Sequence, residues 1–296
     1  MDHLNRGTGL LIIEARLSNP NGDPDMESDP RVLESDGRGL ISPVSVKRKL
    51  RDLIDHKDGD LWRLAAAALD LQAEQYRILE ARGRDRKEIE KMPAEQFRQA
   101  FWDARVFGNT FLESMKAREN KQPVDHFIRT GVVQFGPGIS IAPIEIERLT
   151  LTNKAGVQEG KDRGMAPLAW RVVRHAVYAM PFFVNPMEAR KTGCAGRDID
   201  LLRFLIPHAY SQTASNVRPF VVIRHAWYAT HKSPLGSCPD HRIIDAMMPR
   251  KVKGEPDQPS LSIDEYDIPT VLPEDIEARL QSFDDLCMEV WEPALA

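Results

Sequence analysis

Apolar positions along the chain fall into blocks of two different periods. Residues 8–17, TGLLIIEARL, are a continuous apolar run that turns to alternation at its end, which predicts a central β-strand. After a polar loop, Pro43 stands where a first helical turn begins, and Val44, Val46, Leu50, Leu53 and Ile54 supply an apolar helix face. Residues 60–81 and 93–119, rich in Ala, Leu, Gln, Glu and Arg, predict further helices, the second opened by Pro93. Between 131 and 151 the residues Val132, Val133, Phe135, Ile139, Ile141, Ile144 and Ile146 alternate in β fashion, with Gly136-Pro137-Gly138 forcing a bend or bulge. An exposed loop, TNKAGVQEGKDRG, separates these from a strand at 168–183, a helix at 197–214 opened by Asp198 and Asp200, and a strand at 218–230. With the helical block at 57–121 set aside, the order is β-α-β-β-α-β. That is an α+β chain in the ferredoxin-like, RNA-recognition-motif order, with a helical insertion after its first helix.

A length of 296 residues admits one large or two ordinary domains, and 28% charged with 42% hydrophobic residues read as a soluble globular protein. The apolar run AVYAMPFFV is interrupted by Pro181 and is too short to span a bilayer, so no membrane association is expected. The start, MDHLNRGTG, has no apolar leader core, and three scattered cysteines suit reduced thiols in a cytoplasm. Neither a GxxxxGK[ST] loop nor a GxSxG elbow occurs, which removes the usual ATPase and acyl-transfer classes, and no cofactor is expected.

Charge changes the picture locally. The formal net charge is -4, yet residues 38–51 hold five basic side chains and no acid, whereas residues 250–296 hold 4 bases and 12 acids. The basic run lies at the start of the first predicted helix, where free backbone N–H groups favour an anion. Ser42 and Ser45 fall in its first turn, Lys47 and Arg51 are i,i+4 neighbours, and Arg48 lies beside them. These residues suit a phosphate backbone held without sequence reading; the bland alternative is a solvated helix face. Lys49 projects from another side and reads as solvated or as a subunit contact.

Upstream, NPNGDPD is built for a rigid turn, with Pro20 and Pro24 restricting φ, Gly22 permitting positive φ, and Asn19, Asn21 and Asp23 accepting local backbone bonds. Asn19 and Asn21 are the better candidates for ligand contact, and the acids are expected to orient basic side chains. Asp23, Asp25, Glu27 and Asp29 alternate toward Glu34 as in a calcium loop, but Ser28 occupies the position that needs glycine and two prolines interrupt the run. No metal site is therefore expected there. Cys238 and His241 have ligand-like spacing without a second pair, and His175 and His225 fall in predicted strands, where packing is the usual role.

NPNGDPD followed by Pro30-Arg31, the Gly37/Gly39 pair and the helix SVKRKLR resembles the N-terminal signature of the backbone subunit of type I CRISPR surveillance (Cascade) complexes, in the branch of the compact subtypes. DARVFG (103–108), RTGVVQFGPGISIAPIEI (129–146), KDRGMAPLAWRVVRHAVYAM (161–180) and RPFVVIRHAWYATHKSPLG (218–236) follow in the same order as in that family. The resemblance implies a hand-shaped subunit: a palm at 1–56, 122–146 and 168–249, helical fingers at 57–121, a hairpin thumb at 147–167, and an acidic C-terminal segment at 250–296. It implies a non-catalytic protein that binds CRISPR RNA through Asn19, Asn21, Ser42, Ser45, Lys47, Arg48, Arg51, Arg163 and Met165. Its partners would be further copies of itself, other Cascade subunits, and target DNA paired to the guide. Met165 matches a position where an apolar tip wedges beside a displaced base, with core packing as the alternative. Related subunits of other CRISPR types cut target RNA with a loop aspartate, so a metal-dependent ribonuclease using Asp23 or Asp25 is the competing expectation.

Overall fold

The computed structural model describes residues 4–81, 88–89, 91–109, 129–154 and 165–288. Strand β1 (Gly7–Ser18) is buried over its first nine residues, which hold the apolar run Leu10–Ile13 and also Thr8 and Glu14. Strand β2 (Arg38–Ile41) leads into helix α1 (Pro43–Asp55), where Ser42 caps the N-terminus by accepting from the Ser45 N–H and Pro43 takes the first helical position. Helices α2 (Asp60–Leu69), α3 (Ala94–Ala100) and α4 (Trp102–Phe107) follow, then the short pair β3 (Gly108–Asn109) and β4 (Arg129–Thr130). Strands β5 (Val133–Phe135), β6 (Gly138–Pro143) and β7 (Ile146–Lys154) precede the 20-residue β8 (Met165–Val184). The remainder runs α5 (Ala189–Thr192), α6 (Gly196–Leu205), β9 (Val221–His231), α7 (Asp240–Met247), β10 (Arg250–Lys251), β11 (Tyr266–Asp267), α8 (Glu274–Glu277) and β12 (Leu280–Asp285).

The large antiparallel sheet has the order β12-β9-β1-β8-β6-β2, with β5 and β7 paired to separate stretches of β8. Alternate residues of β1 feed two cores. Leu11, Ile13 and Ala15 pack with Val46, Leu50 and Ile54 of α1 and Leu201, Leu202 and Leu205 of α6. Leu10 and Ile12 pack on the opposite face with Trp227, with Ile243 and Met247 of α7, and with Ile276 of α8. Both faces of the sheet are thus covered, the second by the segment that follows β9. From residue 250 on, the sequence marks that segment by its acidity, and the packing of Tyr266, Leu272, Ile276 and Leu280 was not anticipated.

Several helical boundaries differ from expectation. The helix expected at 60–81 stops at Leu69, because Asp70 turns left-handed (φ 52°) and returns its N–H to Ala66. The stretch from 93 breaks at Phe101, whose backbone is extended (φ -109°, ψ 104°), and α4 ends at Gly108 with φ 81°; its expected continuation over 110–119 lies outside the described residues. Helix α6 ends at Leu205, just before Pro207, and the chain proceeds through two short 3-10 turns. Val44, assigned to the buried face of α1, is 73% exposed. No described helix is long and apolar enough to cross a membrane.

Candidate nucleic-acid interface

The NPNGDPD loop is fastened at both asparagines. Asn19 is buried and its Nδ2 donates to the carbonyls of Ser28 (2.8 Å) and Arg171 (3.0 Å). Asn21 Oδ1 accepts from the backbone N–H of Ser42 at 2.8 Å, so this side chain sets the angle at which the chain begins α1. Both residues predicted to touch a ligand are engaged with the protein's own backbone.

The acids of the loop hold arginines. Asp23 lies 3.2 Å from Arg31, Asp29 pairs with Arg148 and with Arg171 (3.1 Å), and Glu27 pairs with Arg171. Burial opposes the Asp29 charge, but the Arg148 and Arg171 guanidiniums outweigh it and hold the carboxyl below the usual carboxylate range. Arg148 and Arg171 were not singled out from sequence, and Arg31 only as part of the Pro30-Arg31 motif; the alternating acids at 23–29 were the available signal, since such a run needs cations to match it. Asp25 is exposed, and its backbone N–H donates to Asp23 Oδ1 at 3.1 Å. Among the described residues no three His, Cys, Asp or Glu side chains converge as metal ligands.

The four cations of α1 take four different environments. Lys49 is 5% exposed, donates to Thr213 Oγ1 at 2.8 Å, and lies 4.8 Å from the centre of the Tyr210 ring. The expectation of a solvated or subunit-contact residue is therefore corrected: its long stem follows the apolar face of the helix inward. Burial, reinforced by Arg218, pulls its pKa down to about 8. Arg51 pairs with the buried Asp103 at 2.8 Å, so its charge is matched within the protein. Arg48 pairs with Asp52 one turn on (2.6 Å) and donates to the Glu80 carbonyl (3.1 Å).

Lys47 differs from all three. Its ammonium has no carboxylate partner among the described residues and sits 5.5 Å from the centre of the Phe107 ring, which Arg51 flanks at 5.2 Å. Burial, aided by the Arg51 charge, lowers its pKa. A half-buried cation beside a second cation, one turn from a helix N-terminus, is an electrostatic site short of an anion. Ser42 and Ser45 are half-exposed at that N-terminus, with the Ser42 hydroxyl committed to the Ser45 N–H (3.3 Å).

The motif DARVFG turns out to be the clasp of this region. Asp103 accepts from Arg51 and from the Leu79 and Glu80 N–H groups, Phe107 lies beneath Lys47, and Arg105 pairs with Asp198 at 2.8 Å.

Sequence comparison places the chain in a family. The profile of the family described as CRISPR-associated protein Cas7 matches residues 5–271. The chain belongs to the Cas7 family. A family member from Haloferax volcanii, described as CRISPR-associated protein Cas7, is 25% identical over 228 residues, covering 73% of this chain and 67% of that protein. A chain of a solved CRISPR RNA-guided surveillance complex, pre-nicking, shares 15% identity with a TM-score of 0.46, over 76% of this chain and 78% of that one. A chain of the Type III-B Cmr-beta complex bound to cognate target RNA shares 10% identity with a TM-score of 0.40, over 76% of this chain and 61% of that one.

Of the remaining predicted residues, Arg163 lies outside the described residues, and Met165 opens β8 opposite Lys154 of β7. His175 is buried against Ser260 Oγ (2.7 Å), and His225 stacks on Trp227 and bonds Asp285 (2.7 Å), both packing roles as expected. Cys238 is buried and His241 exposed, so the two do not face one site.

Proposed function

We propose that this Cas7-family protein is a non-catalytic backbone subunit that binds CRISPR RNA, polymerises along it, and presents the guide for pairing with target DNA. The observation that carries the reading is Lys47: a half-buried ammonium without a carboxylate partner among the described residues, close to the N-terminus of α1. Lys47 and Arg48 contact the RNA backbone there, with Ser42 and Ser45 beside them. Arg51 acts from behind, holding the Phe107 ring and Asp103 of α4 in place. Asn19 and Asn21 shape the loop along which the strand passes.

The sheet supports a palm of βαββαβ type. Taking β1, α1, β6, β8, α6 and β9 as its six elements, the order β9-β1-β8-β6 puts the fourth and third strands on either side of the first. On this reading residues 57–121 are fingers, and the antiparallel ribbon of β7 and β8 is the stem of a thumb at 147–167 that carries Arg163 and Met165. Further copies of the chain and other Cascade subunits are its protein partners, and its site of action is the cytoplasm. The absence of an aromatic stacking platform on β1 fits a protein that leaves sequence reading to base pairing.

The test is the nucleic acid that travels with the protein. Purified from cells that carry a CRISPR array, it is expected to show an ultraviolet absorbance ratio typical of bound nucleic acid, which RNase removes and DNase does not. Protein free of nucleic acid from such cells would overturn the reading.

A further inference from the structure

Glu14 has no access to solvent, yet it stands in the middle of β1, between two arginines. Its Oε1 lies 3.0 Å from Arg16 Nε and 3.4 Å from His175 Nε2, and its Oε2 pairs with Arg224. A register shift in the β1–β9 ladder delivers Arg224: Ile12 faces His225 and Ile13 faces Ile223, so Arg224 is the bulged residue and turns onto the face of Glu14. Burial opposes the charge on Glu14, but the His175 contact and the two guanidiniums prevail and keep its pKa low.

Both arginines reach outward from this anchor. The Arg16 side chain is 47% exposed and Arg224 35%, and the Arg16 guanidinium lies 3.8 Å from the centre of the half-buried Phe220 ring. The Nη groups of Arg16 have no partner among the described residues. Two cations against one carboxylate leave a positive charge at the surface, pre-oriented and backed by an aromatic ring, which are the elements of single-strand phosphate binding. Next to it Leu17 is 48% exposed and has a left-handed backbone (φ 40°), a conformation costly for leucine that holds an apolar side chain in solvent.

The position matters as much as the chemistry. Glu14 lies on the sheet face shared by Leu10 and Ile12, whereas α1 packs on the other face with Leu11 and Ile13. The two faces meet at the end of β1, where Arg16 N–H donates to the Phe220 carbonyl (3.1 Å) and Asn19 N–H to that of Val217 (2.8 Å). We propose that Arg16 and Arg224, anchored by Glu14, form a second phosphate-binding fork for single-stranded RNA, so that one strand crosses the end of the sheet at Leu17 and is held on both sides. This rests on the RNA-binding reading above and adds to it a second grip that the basic helix does not supply.

The experiment uses the full chain and a labelled, unstructured single-stranded RNA, with affinity measured across a salt series. Arg16→Gln and Arg224→Gln are each expected to weaken binding several-fold and to flatten the logarithmic salt slope by about 0.7 per lost phosphate contact. Each single variant leaves the other arginine to match Glu14. On unmodified protein, phenylglyoxal labelling of Arg16 and Arg224 is expected to fall when RNA is bound. RNA binding that Lys47→Ala weakens, with both arginine variants unaffected and both arginines labelled equally with and without RNA, would overturn the fork while leaving the function intact. Protection by an acidic peptide but not by RNA would likewise overturn it, and no RNA binding at all would overturn the function itself.

Discussion

Arg51 Nε and Asp103 Oδ2 lie 2.8 Å apart, and this ion pair joins α1 to α4. Asp103 is 1% exposed and also accepts the N–H groups of Leu79 (2.7 Å) and Glu80 (3.2 Å), so one carboxylate ties the 79–80 segment and α4 to α1. The same pair leaves Lys47 beside a matched cation, with its own charge unmatched.

Removing Arg51 strands a buried carboxylate. Arg51→Ala is expected to destabilise the fold by about 3–5 kcal/mol, the usual consequence of breaking a buried pair from one side. Thermal or urea unfolding measures it. Loss of RNA affinity with unchanged unfolding would assign Arg51 to the ligand instead.

Lys47→Ala should behave in the opposite way. Its ammonium makes no ion pair among the described residues, so stability is expected to stay within about 0.5 kcal/mol. RNA affinity is expected to fall by a similar factor for unrelated sequences, with the salt slope flatter by about 0.7. An effect confined to one RNA sequence would mean that Lys47 reads bases.

Lys49 gives a pH dependence with a definite sign. Its pKa is about 8 in the folded chain against the ordinary 10.5, so between those values the unfolded chain binds the extra proton and stability rises with pH. The cost of burying the ammonium is fully present below pH ~8 and is relieved by pH ~10.5. Lys49→Met is therefore expected to stabilise at pH 7 by roughly 1–3 kcal/mol and to lose that advantage toward pH 10. Lys57, also drawn to about 8, titrates in the same window, so the comparison is between variant and parent at each pH. A gain independent of pH would contradict the burial argument.

Asp23→Ala with Asp25→Ala is expected to leave bound RNA at full length and assembly largely intact, because Asp23 is engaged with Arg31 and Asp25 with a turn. A magnesium-dependent cleavage present in the parent and absent in the double variant would reverse the assignment.

Much of the sheet was legible because its signal is local. The run TGLLIIEARL and the alternation from Val132 to Ile146 state their period without help from the rest of the chain. The start of α1 was equally plain from Ser42 and Pro43. What sequence could not give were distances closed by the fold. Nothing near Lys49 in the chain announces Tyr210 or Thr213, and nothing near Arg51 announces Asp103. In sequence the basic run yields only a difference of helix face, with Lys49 set apart from Lys47, Arg48 and Arg51, until tertiary partners separate the rest. Glu14 and Arg224 escaped for a related reason: a charged residue inside an apolar strand looks like an interruption until a bulge on the neighbouring strand brings its partner. The acidic tail was read as a charge feature, when its Tyr266, Leu272, Ile276 and Leu280 join the core on the second face of the sheet.

The central claim is that this chain assembles on RNA. The most direct measurement is the size and nucleic-acid content of the protein co-expressed with a CRISPR array and its processing subunit, read by light scattering on a sizing column. The account predicts a large RNA-containing particle with several copies of the chain, which RNase disperses. An RNA-free monomer of 33.5 kDa under those conditions would contradict it.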